Sequence, residues 1–313
     1  MAKNVVSTIV TILCLTFLLS TCIGTCLGTA SSSGMPEWKV GDWWQHRIEV
    51  SGEASLVGTY TITVVDDSFV ISQNGQDFTC FLLVVSGDGT IYGTVNGLGL
   101  SGTWTTTEYH YYTKPDQSWV KITSTYDETV TVSGSGASAG QSQTVTSRLV
   151  TENLYNPPFE SNKGYPLSVG KSWSAATAET KQTQTTIGGN TETVTETDSY
   201  TKNFQVLRKE STTVSAGEFE TYVTKRTDPN GAYAETFYSS QVGFDVKQIE
   251  YDSTGNAYLT LELLDYKTQT TPTNDAQVSA TNMLELLIIS SIIAVSAVVV
   301  ILLLKRTGHS AVN

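Results

Sequence analysis

The chain has 313 residues, with 18 Lys and Arg against 30 Asp and Glu, and four cysteines. Charged residues make up 15% of it, and its 48 threonines equal all charged residues together. That balance excludes a disordered polyanion, a coiled coil and a basic nucleic-acid binder. It favours β structure, because the β-branched Thr suits strands, and the length predicts about two domains.

Residues 1–30 read as a secretory signal. Lys3 gives the positive start, Val5 to Leu19 the apolar stretch, and Gly28 and Ala30 the small residues before a cleavage point at Ser31. An uncleaved anchor, or a lipoprotein signal on Cys22 or Cys26, is the alternative. Cys14, Cys22 and Cys26 all lie in this segment, so Cys80 alone remains in the exported part. An intramolecular disulfide is then excluded, and the exported fold must rest on its core. Cys80 sits in FTCFLLVV (78–85), apolar on both faces, and reads as a small buried hydrophobe; an intermolecular disulfide is the alternative. There is no Asn-x-Ser/Thr acceptor.

From residue 38 onward the chain repeats itself. WKVGDWWQHRIEV (38–50) matches PLSVGKSWSAATA (166–178) around Val-Gly and a following Trp. GTYTITVV (58–65) lies opposite DSYTKNFQVL (198–207). Residues 74–89 match 215–231, pairing Phe78 with Phe219 and Phe81 with Tyr222. Residues 108–127 match 235–252, pairing Tyr111 with Tyr238. Four blocks in the same order predict two tandem β units, 38–155 and 165–266, joined by a linker at 156–164 where Asn156-Pro157-Pro158 interrupts regular structure.

Each unit reads as antiparallel β. Tyr60, Ile62 and Val64 alternate with Thr61 and Thr63, and YLTLELLDY (258–266) closes the second unit. Turn signals at Asn74-Gly75, Gly87-Asp88-Gly89, Gly188-Gly189 and Asp228-Pro229-Asn230-Gly231 punctuate the strands. No amphipathic helical period of useful length occurs between 36 and 266. SGSGASAGQSQ (133–143) reads as a flexible hairpin insertion.

Past the second unit, 267–282 is a Thr-rich polar stalk and 283–304 is expected to be a transmembrane helix. Residues 286–304 carry no charge, and as a helix they would span about 28 Å, close to the hydrocarbon thickness of a bilayer. Lys305 and Arg306 follow as a stop-transfer pair and mark 305–313 as a cytoplasmic tail. Together with the signal, this predicts a single-pass type I protein of the cell membrane with its ectodomain outside. Removing Lys3, Lys305, Arg306 and Glu285 leaves 15 positive and 29 negative groups, so the ectodomain is more acidic than the whole chain. That repels nucleic acid and excludes it as a partner.

The pattern Pro166-Leu167, Val169-Gly170, Trp173, then AGEFETY (216–222), FYSSQVGFDVKQIEYD (237–252) and LELLDY (261–266) resembles families of exported bacterial and archaeal proteins related to the LolA/LppX-like β half-barrel. The resemblance is clearer over the second unit. It implies a curved antiparallel sheet with an apolar hollow, and no catalytic residue. The expected fold is therefore all-β: two tandem antiparallel units, curved-sheet or half-barrel like, plus one C-terminal helix.

Catalytic and metal chemistry find little support. His46 and His110 lie in separate blocks, no HExxH or cysteine pair occurs, and neither a cofactor nor a metal is expected. Gly136-Ala137-Ser138-Ala139-Gly140 fits G-x-S-x-G but lies in a Gly/Ser run without a strand-to-helix elbow. Glu108 with Glu235 and Asp127 with Asp252 read as the same structural position in each unit, and Asp66-Asp67 as a turn. Acidic turns at 228–231 and 252–256 do not fit a Ca²⁺ loop.

The aromatics are the remaining lead. Trp43, Trp44, Phe78, Phe81, Tyr111, Trp119, Phe219, Tyr222 and Tyr238 are the candidate ligand-binding residues. Alternation places Tyr109 and Tyr111 on one face and His110 and Tyr112 on the other. The expected function is a non-enzymatic binding or structural role in the cell envelope. A lipid or hydrophobic-ligand module and a carbohydrate-binding surface protein are the alternatives. The expected partners are the membrane, through the C-terminal span, and an envelope protein, glycan or lipid.

Overall fold

A computed structural model of the chain describes residues 35–134 and 142–269. The signal, the Gly/Ser insertion with its G-x-S-x-G pattern, the stalk beyond 269, the apolar segment 283–304 and the tail with Lys305 and Arg306 lie outside the described residues. Among the described residues no helix is long and apolar enough to cross a membrane.

Twelve strands follow one another: β1 Trp43–Val50, β2 Ala54–Gln73, β3 Gln76–Val95, β4 Leu98–Thr113, β5 Trp119–Ser133, β6 Ser142–Phe159, β7 Ser172–Ile187, β8 Asn190–Val214, β9 Gly217–Thr227, β10 Tyr233–Ser239, β11 Phe244–Tyr251 and β12 Ala257–Lys267. Each pairs antiparallel with its neighbours in sequence, and β1 pairs with β12, so the sheet is a closed ring. The sequence predicts two tandem curved-sheet or half-barrel like units; the strands form one continuous antiparallel ring. Here the last edge is taken up by the Trp44–Tyr266 and Ile48–Leu261 register, which leaves no free edge along β1. The sequence blocks that match fall on β1 and β7, β2 and β8, β3 and β9, and the β4–β5 and β10–β11 hairpins. The two six-strand segments share one sheet through the β6–β7 and β1–β12 ladders.

Because the strands meander, all even-to-odd connections from β2–β3 to β10–β11 lie at one rim. Residues 35–42 enter and Lys267–Gln269 leave at that same rim, called here the exit rim. The odd-to-even turns lie at the far rim. Three tight hairpins use adjacent positive-φ residues: Asn74-Gly75 (53° and 77°), Asn96-Gly97 (51° and 78°) and Gly188-Gly189 (56° and 86°). Such pairs match the right-handed twist of the flanking strands, so these dipeptides fix the register of the long hairpins.

One boundary differs from expectation. β6 continues across Pro157-Pro158 to Phe159, and only then does the chain turn through a short 3-10 helix, Ser161–Gly164. Between the pairs Lys121–Leu154 and Trp119–Phe159 the ladder bulges, so β6 has extra residues there. The prolines, which have no N–H to donate, fall inside that bulge.

The inner face is layered. Near the exit rim lies an aromatic layer. Trp44 stacks on Phe244 at 4.5 Å, and Trp38 reaches Phe81 at 5.6 Å and Tyr112 at 5.3 Å. Trp119 continues the layer to Tyr155 at 5.8 Å and Phe159 at 6.5 Å. Trp38 and Trp44 donate their indole N–H groups to the Gly243 and Val242 carbonyls at 3.3 and 3.0 Å, tying the entering segment to the β10–β11 loop. Toward the far rim lies an apolar layer that includes Ile48, Leu56, Ile91, Leu100, Trp104, Val130 and Leu149. Trp104 lies over backbone bared by glycine: a Cβ on Gly58 or Gly89 would come within 2.4 or 2.7 Å of its ring. Between the two layers the inner face turns polar.

Candidate functional site

Strand alternation builds this polar belt. On β4, Thr106, Glu108, His110 and Tyr112 all have even numbers and face inward. Glu108 Oε2 and His110 Nε2 are 2.6 Å apart, both buried, with Thr106 Oγ1 donating to Glu108 at 3.4 Å. On β5, Tyr126 donates to Glu128 at 3.3 Å, and Ser147 from β6 donates to the same carboxylate at 2.7 Å. Across the ring, Arg226 of β9 meets Glu250 of β11 at 3.1 Å and Asp228 at 3.2 Å, while Gln248 donates to Glu250 at 2.5 Å. Burial raises the Glu250 carboxyl above the ordinary range, against the pull of Arg226.

His46 and Tyr60 complete the belt from β1 and β2, where they are direct cross-strand partners with rings 5.7 Å apart. His46 Nε2 lies 2.9 Å from the Asp245 carbonyl oxygen, so that nitrogen carries the proton, and the buried Nδ1 has no partner. Burial holds the imidazole down at about 4. The Tyr60 hydroxyl is buried and has no hydrogen-bond partner. Burial, with the fields of Glu108, Asp245 and Glu250, pushes the phenol well above the ordinary tyrosine range. The side chain of Asn153 and the Thr224 hydroxyl are likewise buried without partners.

This arrangement holds protons and charges in mutual contact. Apart from the half-buried Asp228 its members are buried, and His110 has the rings of Tyr112 and Trp119 as neighbours at 6.3 and 6.1 Å. Among the described residues no group of three or more His, Cys, Asp or Glu side chains is placed to hold a metal ion.

The carboxylate pairs of the sequence reading come apart. Glu108 faces inward, whereas Glu235 faces outward onto Arg208 at 3.3 Å. The two are therefore not equivalent. The β10–β11 ladder bulges at Phe237/Tyr238, one residue earlier than the matching bulge at Tyr111/Tyr112, so the structural counterpart of Glu108 is Ala234. Asp127 is exposed beside Arg148, and Asp252 caps its own turn by accepting from Thr254 and Asn256. Asp66 accepts from Ser68 in the same way.

The candidate aromatics divide. Trp44, Phe81 and Trp119 belong to the inner aromatic layer. Phe219 is buried against Tyr266 at 5.9 Å. Tyr238 and Tyr222 join Tyr165, Leu167 and Val206 in a small separate cluster, on the strand face that Thr224 and Arg226 share. Trp43, Phe78 and Tyr111 are half-buried, and Tyr111 packs outside the ring against Phe69 at 5.2 Å. The two-faced FTCFLLVV run is explained by these walls. Phe81, Leu83 and Val85 point inward, while Leu82 and Val84 lie outside, opposite Tyr111 and Tyr109.

A shallow depression of about 360 Å³ lies on the outer wall at Trp173, Asn203, Gln205, Lys225 and Thr227. Phe204 stacks on one face of Trp173 at 5.0 Å and Gly164 backs the ring closely, so no face of the indole is left to stack a sugar. Sequence reasoning missed the Glu108–His110 pair, although parity carried the signal: 108, 110 and 112 share a face. Arg226 with Glu250 depends on β9 and β11 lying on either side of β10, which no local pattern encodes. No family model matches the chain, and neither a curated protein nor a solved structure matches it.

Proposed function

We propose that the chain is a membrane-anchored cell-surface protein whose barrel has a non-enzymatic binding or structural role in the cell envelope. The sealed polar belt is the observation that supports this most. The side chains capable of acid–base chemistry, Glu108, His110, Glu128, Asp245 and Glu250, are all buried. A carrier of hydrophobic ligands would need that interior for its cargo, and Trp44, Trp104, Trp119, Tyr60 and Arg226 occupy it. In this reading residues 1–30 export the chain, 286–304 hold it in the bilayer, and Lys305 and Arg306 stay inside.

Protease treatment of intact cells tests the topology. The ectodomain should be digested from outside, leaving a C-terminal fragment that stays in the membrane through alkaline carbonate washing. Release of that fragment by carbonate would overturn the anchor. Protection of the ectodomain in unbroken cells would overturn the orientation.

A further inference from the structure

The exit rim carries most of the exposed apolar side chains of the barrel. Among the described residues, eight large apolar side chains are exposed, and five of them lie at this rim: Val40 (47%), Val65 (41%), Phe69 (37%), Val70 (55%) and Val169 (58%). Tyr92 and Val194 lie toward the far rim, and Tyr109 lies on the wall. The chain leaves the barrel beside one of the five. Gln269 donates its backbone N–H to Asp42 at 2.7 Å and its side-chain amide to the Val40 carbonyl at 2.7 Å.

Sixteen residues, 270–285, separate that point from the uncharged run at 286–304. They reach at most about 55 Å, so in a chain anchored through 286–304 the point where the strands end, at the exit rim, is confined to that distance from the bilayer. Confinement makes contact intramolecular, and a modest apolar surface then suffices to hold it. The β2–β3 hairpin is suited to that contact. Phe69 and Val70 point to opposite sides near its end, and both are exposed. Its carboxylates already have partners: Asp66 accepts from Ser68, Asp67 pairs with Lys114 at 3.0 Å, and Asp77 accepts from Ser72. Partnered carboxylates cost less to bring against a lipid surface than free ones.

We infer that the exit rim is a lipid-contact surface: Val40, Val65, Phe69, Val70 and Val169 rest in the interfacial region of the bilayer that anchors the chain. The inference rests on the anchored reading above. The barrel then stands on the membrane with its far rim, including the long β7–β8 hairpin, directed outward.

The test uses the full chain in phosphatidylcholine vesicles whose acyl chains are brominated, with tryptophan fluorescence as readout. Val70→Trp places the probe on the rim and Tyr92→Trp places it toward the far rim. Relative to the parent protein, Val70→Trp should add emission that is blue-shifted and quenched by bromolipid, and Tyr92→Trp should add emission that is not quenched. If the chain stays with the vesicles through carbonate washing and Val70→Trp is quenched no more than Tyr92→Trp, the rim inference falls and the anchor stands. If carbonate strips the chain from the vesicles, both fall.

Discussion

Acidification from neutral pH should weaken this protein through His46. Burial holds its imidazole at about 4 against the ordinary 6.5, while the hydrogen bond to the Asp245 carbonyl pulls more weakly the other way. Between those two values the unfolded chain binds a proton that the folded chain does not. Stability therefore rises with pH through that window; the contribution is complete above about 6.5 and is lost as pH falls toward 4. At about 1.4 kcal/mol per pH unit, the gap amounts to roughly 3 kcal/mol. The other groups packed around His46 do not cancel this. Phe244 is neutral and Tyr60 stays protonated, while the carboxylates of Glu108, Asp245 and Glu250 act on the same pocket through Tyr60. Glu250 works in the opposite sense. Its carboxyl pKa is raised, so the folded state holds that proton more tightly, and its contribution improves as pH falls through the raised value. The raw pH profile mixes these with the exposed Asp66 and Asp252, whose lowered carboxyl pKa values act in the same direction as His46, and His46→Gln isolates the imidazole. A glutamine amide keeps a donor near the Asp245 carbonyl and does not titrate. Denaturant unfolding of parent and variant, at pH values stepped from about 7 to about 4, should show the parent losing roughly 3 kcal/mol more than the variant. Parallel losses in the two proteins would refute the assignment.

Three further outcomes follow from the packing. Arg226→Met should cost about 3–5 kcal/mol by leaving Glu250 buried without its cation, and adding Glu250→Leu should restore much of that loss in the same unfolding assay; a double variant as weak as the single would count against the pair. Gly89→Ala should cost about 2–4 kcal/mol, because its Cβ would meet the Val57 carbonyl oxygen at 2.2 Å, whereas Gly75→Ala, with nothing within 4 Å and only a positive φ to strain, should cost about 1 kcal/mol; equal costs would refute the close approach under Trp104. Cys80 is buried and burial pushes its thiol to about 11, so an aromatic disulfide reagent should label it only after denaturant is added, and prompt labelling of the native protein would contradict its placement.

Strand identity was legible because it is local. Tyr60, Ile62 and Val64 against Thr61 and Thr63 encode an inner and an outer face in a few residues, and Asn74-Gly75 or Gly188-Gly189 encodes its own turn. Closure was not legible, because the β1–β12 ladder joins residues more than 200 positions apart and each of the two strands looks like any other. The polar belt was half legible. Parity alone puts Glu108 beside His110, yet the same counting misplaces Glu235, since a one-residue difference in bulge position exchanges inside for outside. The prolines at 157 and 158 misled for a related reason: a bulge accommodates residues that a regular ladder excludes.

The belt follows from the width of the ring. Around eight strands, ordinary side chains fill a barrel, whereas twelve strands open a wider interior. Two devices on the inner face meet that demand. Toward the far rim, Gly58 and Gly89 remove side chains from one wall so that the bulk of Trp104 fits against bare backbone. At the far-rim ends of β9 and β11, long polar side chains close on one another, as Arg226 does with Glu250 and Asp228. Arg226 and Glu250 are almost completely shielded from water, which strengthens their contact and raises the cost of any unpaired group. The unpartnered atoms of His46, Tyr60, Asn153 and Thr224 mark where that demand is least well met. Of the four, His46 alone has a proton to take up as pH falls toward 4, which is why acid should act on this barrel through the His46–Tyr60 pair.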